Sequence, residues 1–220
     1  MIFAKIDFIN LLPFDVFIKR NIKSTQIKQI INYKKSYPSK INTQFLNRKI
    51  DCAFISSIAS RNKKTLPLGI VAKNEVLSVL VLPKKTKDDY QSQTSNALAK
   101  VLNINGEIII GDKALKYYYE NDINTFKDLA TIWKEKYNLP FVFAILSYNK
   151  HENYLNSIVK KFDKSNTKIP MYILNKYSTS TNISQKQIKN YLSKITYTIG
   201  YKEKRSLKLF FKLLKQKRIN

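Results

Sequence analysis

The sequence is poor in the residues on which most recognisable catalytic motifs depend. Its 220 residues include 1 cysteine, Cys52, 1 histidine, His151, and 4 glycines. A single cysteine excludes an intramolecular disulfide and any metal site built from several cysteines. No Gly-rich phosphate loop and no H-E-x-x-H, C-x-x-C or G-x-S-x-G motif is present. His151 stands between Lys150 and Glu152 at the start of a predicted helix, so we interpret it as a surface residue rather than a base.

The sequence also lacks a long apolar run. The longest candidates, 76–82 and 140–146, have the length of a strand and are too short for a membrane span. The N-terminal stretch has no basic region ahead of an apolar run and no small-residue cleavage site. We therefore expect a soluble, cytoplasmic protein without a membrane partner. Hydrophobic residues make up 44% of the chain, which is enough for the core of one domain or two small lobes.

Acidic residues are scarce. The chain has 15 Asp and Glu against 40 Lys and Arg, a formal net charge of +25. One interpretation is binding to nucleic acid or to an anionic membrane surface. The other is a lysine-rich composition, because the excess is almost all lysine and is spread along the chain, whereas a phosphate-reading surface favours arginine. We favour the second and expect no nucleic-acid partner, although a positive field helps to attract a small anionic substrate.

Apolar periodicity predicts strands that alternate with helices. The strand-like runs are 2–8, 27–33, 50–57, 70–73, 76–82, 107–110 and 141–146. Helical patterns lie between these runs. One is expected to start at Ser39, and another at 125–128, which has the form of a capping box. The last third of the chain is mostly helical. This alternation indicates an α/β protein with largely parallel sheets. We expect two lobes around a cleft, lobe 1 from 1–82 plus approximately 147–220 and lobe 2 from approximately 83–146.

Polar residues stand at the ends of predicted strands and the starts of predicted helices. They are Asn10, Ser56, Ser57, Thr94, Ser95 and, beside Gly111, Asp112. The carboxyl ends of α/β strands are where such folds bind ligands, and unpaired N–H groups at helix starts favour carboxylates. Taken alone, Asn10, Thr94 and Ser95 are more often ordinary helix caps than ligand-binding residues. Their common position at one cleft predicts a binding site.

Four motifs occur in the order of a known family. They are I-N-L-L-P at 9–13, I-D-C-A-F-I-S-S at 50–57, I-I-I-G-D-K-A-L at 108–115 and D-L-A-T-I-W-K-E-K-Y-N-L-P-F-V-F-A at 128–144. On these the sequence resembles the chorismate dehydratases of the futalosine pathway of menaquinone biosynthesis, over most of residues 1–146 and more loosely into 191–200. The related 1,4-dihydroxy-6-naphthoate synthase has a P-C-P-N-D-T-like segment where this chain has I-N-L-L-P. The chain departs from the family in being short and in its Q-S-Q-T-S at 91–95.

The resemblance implies a type II periplasmic-binding-protein fold and a hydro-lyase that needs no cofactor or metal. The implied reaction removes water from chorismate and gives 3-[(1-carboxyvinyl)oxy]benzoate. Under this hypothesis Asn10 is catalytic and orients the reacting hydroxyl or the side-chain carboxylate. Thr94 and Ser95 bind one carboxylate, and Ser56 and Ser57 bind the other or the ring hydroxyl. The substrate's own enolpyruvyl carboxylate is the expected proton acceptor, since these motifs contain no evident base.

Three questions stay open at this point. Asp112 is a candidate for substrate binding or general acid catalysis, with a helix cap after Gly111 as the favoured alternative. The chain could instead be a non-catalytic module that binds a small carboxylate, the naphthoate synthase, or a basic nucleic-acid-binding protein. We expect a monomer or homodimer whose partner is the small molecule chorismate.

Overall fold

A computed structural model describes residues 1–21, 25–26, 29, 35–163 and 167–219. The strands are β1 (Phe3–Ile6), β2 (Lys35–Ser36), β3 (Cys52–Ser56), β4 (Thr65–Ala72), β5 (Val79–Leu82), β6 (Glu107–Ile110), β7 (Lys127–Asp128), β8 (Phe141–Tyr148) and β9 (Ile195–Thr198). The helices are α1 (Leu12–Asn21), α2 (Pro38–Leu46), α3 (Gln93–Leu102), α4 (Gly111–Glu120), α5 (Leu129–Tyr137), α6 (Glu152–Asp163), α7 (Met171–Thr181), α8 (Gln185–Lys194) and α9 (Tyr201–Gln216). Short 3-10 turns span Ile9–Leu11 and Ile123–Thr125. The strand predicted at 27–33 lies almost wholly outside the described residues.

The larger sheet has the strand order β2-β1-β3-β8-β4-β9. Its parallel pairs are β1 with β2 and β1 with β3, whereas β8 and β4 join the sheet by antiparallel pairing. β9 is also antiparallel, to β4. The expectation of largely parallel sheets is therefore wrong. Apolar periodicity reports burial but not strand direction, and β8 enters this sheet from the opposite lobe.

The smaller sheet has the order β6-β5-β7 and is antiparallel throughout. Because β5 belongs to this sheet and β8 to the larger one, we correct the expected lobe boundaries. The chain leaves the larger sheet after β4, at 73–78, and returns before β8, at 138–140. Residues 79–82 go with the smaller sheet and 141–146 with the larger, which reverses their expected assignment.

Buried aromatic rings hold the larger lobe together. The ring of Phe14 in α1 lies 5.9 Å from that of Phe3, 5.1 Å from that of Phe54 and 5.2 Å from that of Phe162. These contacts join β1, α1, β3 and α6. Burial of each ring contributes about 2–3 kcal/mol, so this cluster fixes β1 and the turn that follows it.

The C-terminal helix ties the smaller lobe back to the larger sheet. Trp133 of α5 is fully buried, and its indole N–H donates to the hydroxyl of Ser206 in α9 at 3.0 Å. The Trp133 ring also lies 5.1 Å from that of Phe141 in β8 and 6.0 Å from that of Phe210 in α9. The last helix thus packs against both lobes.

Asp128 fixes the start of α5 and the segment 73–78, by which the chain passes from the larger sheet to the smaller one. One carboxylate oxygen caps α5 by accepting the N–H groups of Ala130 and Thr131, and the other accepts those of Val76 and Leu77. The helix therefore begins at Leu129 with Asp128 as its cap, rather than after a cap at the predicted Thr125. In the same way α2 begins at Pro38 after Tyr37, not at a Ser39 cap.

Candidate active site

A cleft between the two sheets is lined by side chains from both lobes. Its lining includes Phe8, Asn10, Pro38, Ser56 and Phe143 on one side and Ser78, Ser92, Ser95 and Gly111 on the other. Aromatic and aliphatic groups form most of this lining, with hydroxyls and one carboxamide among them. No charged side chain occurs among the described lining residues. Such a cleft suits a flat, apolar ligand with a few polar groups.

Ser56, at the end of β3, is held by Asn42 of α2. The Asn42 amide donates to the Ser56 hydroxyl oxygen at 2.8 Å, and its carbonyl oxygen accepts the Ser56 N–H at 3.0 Å. Asn42 is 2% exposed, so this pair is shielded from water. The Ser56 oxygen also accepts the Ala59 N–H at 3.4 Å, and these accepted bonds leave its own hydrogen available as a donor. The arrangement favours a ligand that only accepts, such as a carboxylate.

Ser95, in the first turn of α3, has the same character. Ser92 caps the helix by accepting the Ser95 N–H at 3.2 Å, and its hydroxyl donates to that of Ser95 at 2.7 Å. The Ser95 hydroxyl accepts that bond, which leaves its own hydrogen available as a donor at the cleft. The positive end of the helix dipole lies beside it, which favours an anionic ligand. Ser56 and Ser95 thus bring to the cleft two hydroxyls whose hydrogens are available to a ligand, one from each lobe.

Asn10 follows β1 in the turn Ile9–Leu11. The Tyr197 hydroxyl donates to its backbone carbonyl at 2.7 Å. The preceding N–H, that of Ile9, donates to the Asp112 carboxylate across the cleft at 3.1 Å. The Asn10 side-chain carbonyl oxygen is buried and has no hydrogen-bond partner among the described residues. A buried acceptor without a partner is unfavourable, so this atom is suited to a donor on a ligand, such as a hydroxyl.

The other predicted residues lie close by but face elsewhere. The Ser57 hydroxyl donates to the Val142 carbonyl at 2.5 Å, and the Thr94 hydroxyl oxygen accepts the Ile58 N–H from the other lobe at 3.2 Å. Neither residue is among those that line the cleft, and their roles as substrate ligands stay predictions. Asp112 contacts the Asn10 turn, and burial raises its pKa to about 6 although the Ile9 N–H acts in the opposite direction.

Sequence reasoning missed residues that help to build the site. Asn42 lies inside a predicted helix, where nothing marks it as a partner of Ser56. Ser78 carried a signal, since it is the polar residue within the apolar run 76–82. Its hydroxyl lies 2.8 Å from that of Tyr191 in α8. Ser92 lies within the Q-S-Q-T-S segment at 91–95, where the sequence does not single it out.

The two lobes touch along the cleft rim. A Cβ atom on Gly111, which has a φ of +67°, would lie 2.7 Å from the Phe8 ring. The Ser39 N–H donates to the Gln91 carbonyl at 3.0 Å. These contacts join α2 and the β1 turn to the starts of α3 and α4.

Among the described residues, no helix is long and apolar enough to cross a membrane.

Solved structures share this architecture. An Archaeoglobus fulgidus protein superimposes with a TM-score of 0.70 at 14% identity, covering 99% of this chain and 97% of that one. An ABC transporter from Parabacteroides distasonis superimposes with a TM-score of 0.56 at 15% identity, covering 97% of this chain and 91% of that one. A Candida albicans gene product, described as exhibiting the generic periplasmic binding protein structural fold, superimposes with a TM-score of 0.50 at 13% identity, covering 98% of this chain and 94% of that one. The class is therefore a two-lobed, periplasmic-binding-protein-like α/β fold, as the sequence predicted.

Sequence comparison identifies the family within that class. Residues 100–216 match a family model described as menaquinone biosynthesis. A curated chorismate dehydratase from Campylobacter jejuni subsp. jejuni serotype O:23/36 (strain 81-176) is 47% identical over 220 residues, which cover 98% of each chain. The chain belongs to the chorismate dehydratase family of menaquinone biosynthesis, and the resemblance inferred from its motifs is confirmed.

Proposed function

We propose that this protein is a hydro-lyase that converts chorismate to 3-[(1-carboxyvinyl)oxy]benzoate and water. The observation that carries the proposal is that the hydroxyls of Ser56 and Ser95 and the buried, unpartnered Asn10 oxygen line one cleft. Chorismate carries two carboxylates and one ring hydroxyl, which match two donors and one acceptor. The 47% identity to a curated chorismate dehydratase supports the same substrate. We further propose that the enzyme is located in the cytoplasm and is a monomer or a homodimer.

Substrate binding follows from the donors. A hydrogen bond from a neutral hydroxyl to a carboxylate is worth about 1.5–3 kcal/mol when water is excluded. Ser56 would bind one carboxylate and Ser95 the other, with the α3 dipole adding to the second. The apolar walls, including Phe8 and Phe143, would sandwich the ring.

The chemistry is an elimination. The ring carbon that bears the enolpyruvyl ether loses its proton, the neighbouring carbon loses its hydroxyl, and the ring becomes aromatic. The electrons of the C–H bond become ring π-electrons, and the proton and hydroxide leave as water. Asn10 would accept a hydrogen bond from the ring hydroxyl and so hold it in place, and the proton taken up by the enolpyruvyl carboxylate would pass to that oxygen as it departs as water. The enolpyruvyl carboxylate, held near the ring proton, would act as the base, an arrangement that intramolecular proximity strongly accelerates.

The Asn10→Ala variant tests the assignment. Purified wild type is incubated with chorismate, and the product is followed by ultraviolet absorbance and mass. We expect wild-type turnover, a loss of more than about 100-fold in kcat for the variant, and an unchanged thermal unfolding midpoint. Asn121→Ala, which removes an exposed carboxamide from the end of α4, is the matched control. Chorismate recovered unchanged from the wild type would contradict the proposal and favour a non-catalytic binding module.

A further inference from the structure

One hydrogen bond between the lobes joins the two segments that carry the cleft hydroxyls. The Ile58 N–H, from the larger lobe, donates to the Thr94 hydroxyl oxygen of the smaller lobe at 3.2 Å. Ile58 follows Ser56 by two residues, and Thr94 directly precedes Ser95. Thr94 is 1% exposed, so water competes little for this bond. The bond therefore couples the position of Ser56 to that of Ser95.

The turn that contains Ser56 and Ile58 is tied to the larger sheet. The Ser57 hydroxyl donates to the Val142 carbonyl of β8 at 2.5 Å. Within the turn, the Ser60 N–H donates to the Ser56 carbonyl at 3.0 Å. These bonds hold the Ile58 N–H in a defined place relative to Ser56. A group that binds this N–H from the smaller lobe is thereby positioned relative to Ser56 as well.

Other hydrogen bonds between the lobes at the start of α3 do not duplicate this one. The Ser39 N–H donates to the Gln91 carbonyl at 3.0 Å, a bond between main-chain groups. The Asn42 amide lies 3.4 Å from the side-chain oxygen of Gln93, which is long for a hydrogen bond. Thr94 is therefore the buried side chain through which the start of α3 binds the segment that follows β3.

We propose that Thr94 is a positioning residue for the dehydration, because its hydroxyl sets the spacing between the hydroxyls of Ser56 and Ser95. The inference rests on the proposed function, in which those two hydroxyls bind the two carboxylates of one chorismate molecule. A ligand that spans both lobes is held well only when its two donors are the right distance apart. In Thr94→Val the same arrangement of the lobes would leave the Ile58 N–H without its acceptor, which is unfavourable. The spacing of the two donors would then no longer be fixed.

The test measures kcat/KM for chorismate in variants of Thr94. Thr94→Val removes the acceptor and keeps the branched shape, whereas Thr94→Ser keeps the acceptor. Thr131→Val is the matched control, because Thr131 also lies in the first turn of a helix, α5, and its bond to Asp128 is made by the backbone N–H that valine retains. We expect kcat/KM to fall roughly 10-fold in Thr94→Val, the size of one buried hydrogen bond. Thr94→Ser and Thr131→Val should stay within about threefold of wild type.

A double-mutant cycle with Ser56→Ala separates positioning from direct binding. If Thr94 acts only through the spacing of the two hydroxyls, the loss of one hydroxyl leaves that spacing without effect. Thr94→Val should then lower kcat/KM by less than about threefold in the Ser56→Ala background. A Thr94 hydroxyl that itself bound a carboxylate would give the same loss of roughly 10-fold in both backgrounds and would overturn the inference.

A merely structural role would give a different pattern. It predicts a lower unfolding midpoint for Thr94→Val, with kcat/KM changed no more than in Thr131→Val. Thr94→Ala removes the same acceptor without the methyl groups of valine and takes its place in the cycle if Thr94→Val does not fold. Wild-type kcat/KM in the folded variant, with wild-type turnover present, would overturn the inference alone. A wild type that does not consume chorismate would overturn the proposed function and the inference with it.

Discussion

Asn42 offers a sharp test of how the cleft binds an anion. Its amide donates to the Ser56 hydroxyl and its carbonyl accepts the Ser56 N–H, at 2.8 and 3.0 Å. In Asn42→Asp the side chain keeps its shape and its acceptor but loses its donor. The Ser56 hydroxyl would then donate inward to the new carboxylate. Replacing the amide nitrogen of residue 42 by oxygen would therefore leave the Ser56 hydroxyl hydrogen-bonded to Asp and no longer available to the substrate.

The expected magnitude follows from that lost donor. A hydrogen bond to a charged acceptor contributes about 1.5–3 kcal/mol, which corresponds to roughly 10- to 100-fold in affinity. The added negative charge repels the dianionic substrate and acts in the same direction. The backbone bond from Ser56 survives, so we expect the fold to be retained.

The assay measures KM for chorismate and the calorimetric Kd for the product, with circular dichroism and thermal unfolding alongside. The control is Asn96→Asp. The Asn96 side chain also makes two bonds, accepting the Asp89 N–H at 2.9 Å and donating to the Asp89 carbonyl at 2.8 Å, but it does not line the cleft. The control should change KM by less than about threefold. An Asn42→Asp variant that is folded and binds with wild-type KM would refute the idea that the Ser56 hydroxyl donates to the substrate.

Two further predictions concern the region where the lobes meet. In Gly111→Ala the new Cβ would lie 2.7 Å from the Phe8 ring on a backbone with a φ of +67°, so we expect a loss of about 1–3 kcal/mol in unfolding free energy and lower turnover. The control is Gly200→Ala, whose Cβ would meet only the flexible Glu203 side chain at 3.2 Å and which should change little. Equal melting curves for the two variants would contradict this prediction. Burial raises the pKa of Asp112 to about 6, so the folded state binds more protons than the unfolded state between pH 4 and 6, and the unfolding free energy contributed by this group falls as pH rises through that window. Relative to wild type, Asp112→Asn should therefore gain about 1–3 kcal/mol from pH 4 to pH 7 in urea denaturation, and a difference independent of pH would contradict the raised pKa.

The sequence alone was enough for the class of fold and for part of the site. The alternation in the first strand and the polar residue after it identified β1 and Asn10, and the motif at 50–57 identified β3 and Ser56. Strand direction was not accessible, because antiparallel β8 and a parallel strand bury the same apolar residues. The lobe boundaries were misassigned for a related reason, since apolar runs do not report which sheet they join.

Two of the predicted site residues, Ser57 and Thr94, are each adjacent to a hydroxyl that lines the cleft but do not line it themselves. Successive side chains at a strand end point to opposite sides, so Ser56 and Ser57 could not both face one cleft. Thr94 and Ser95 are about 100° apart around a helix, and only Ser95 lines the cleft. Choosing between the members of each pair requires knowing which side the other lobe occupies. Partners from distant helices, such as Asn42, need the tertiary structure for the same reason.

The bond between Tyr197 and Asn10 has a consequence for biosynthesis, because it joins residues 187 positions apart. A ribosome produces β1 and its turn first, and all of β3, the smaller lobe and α8 must follow before β9 can pair with β4. Long-range contacts of this kind form late in folding. A chain released early, or trimmed by a protease, so that it ends before Tyr197 would still contain Asn10, Ser56 and Ser95. Such a fragment would have an Asn10 turn without its anchor, so catalytic competence should arise only at the end of translation.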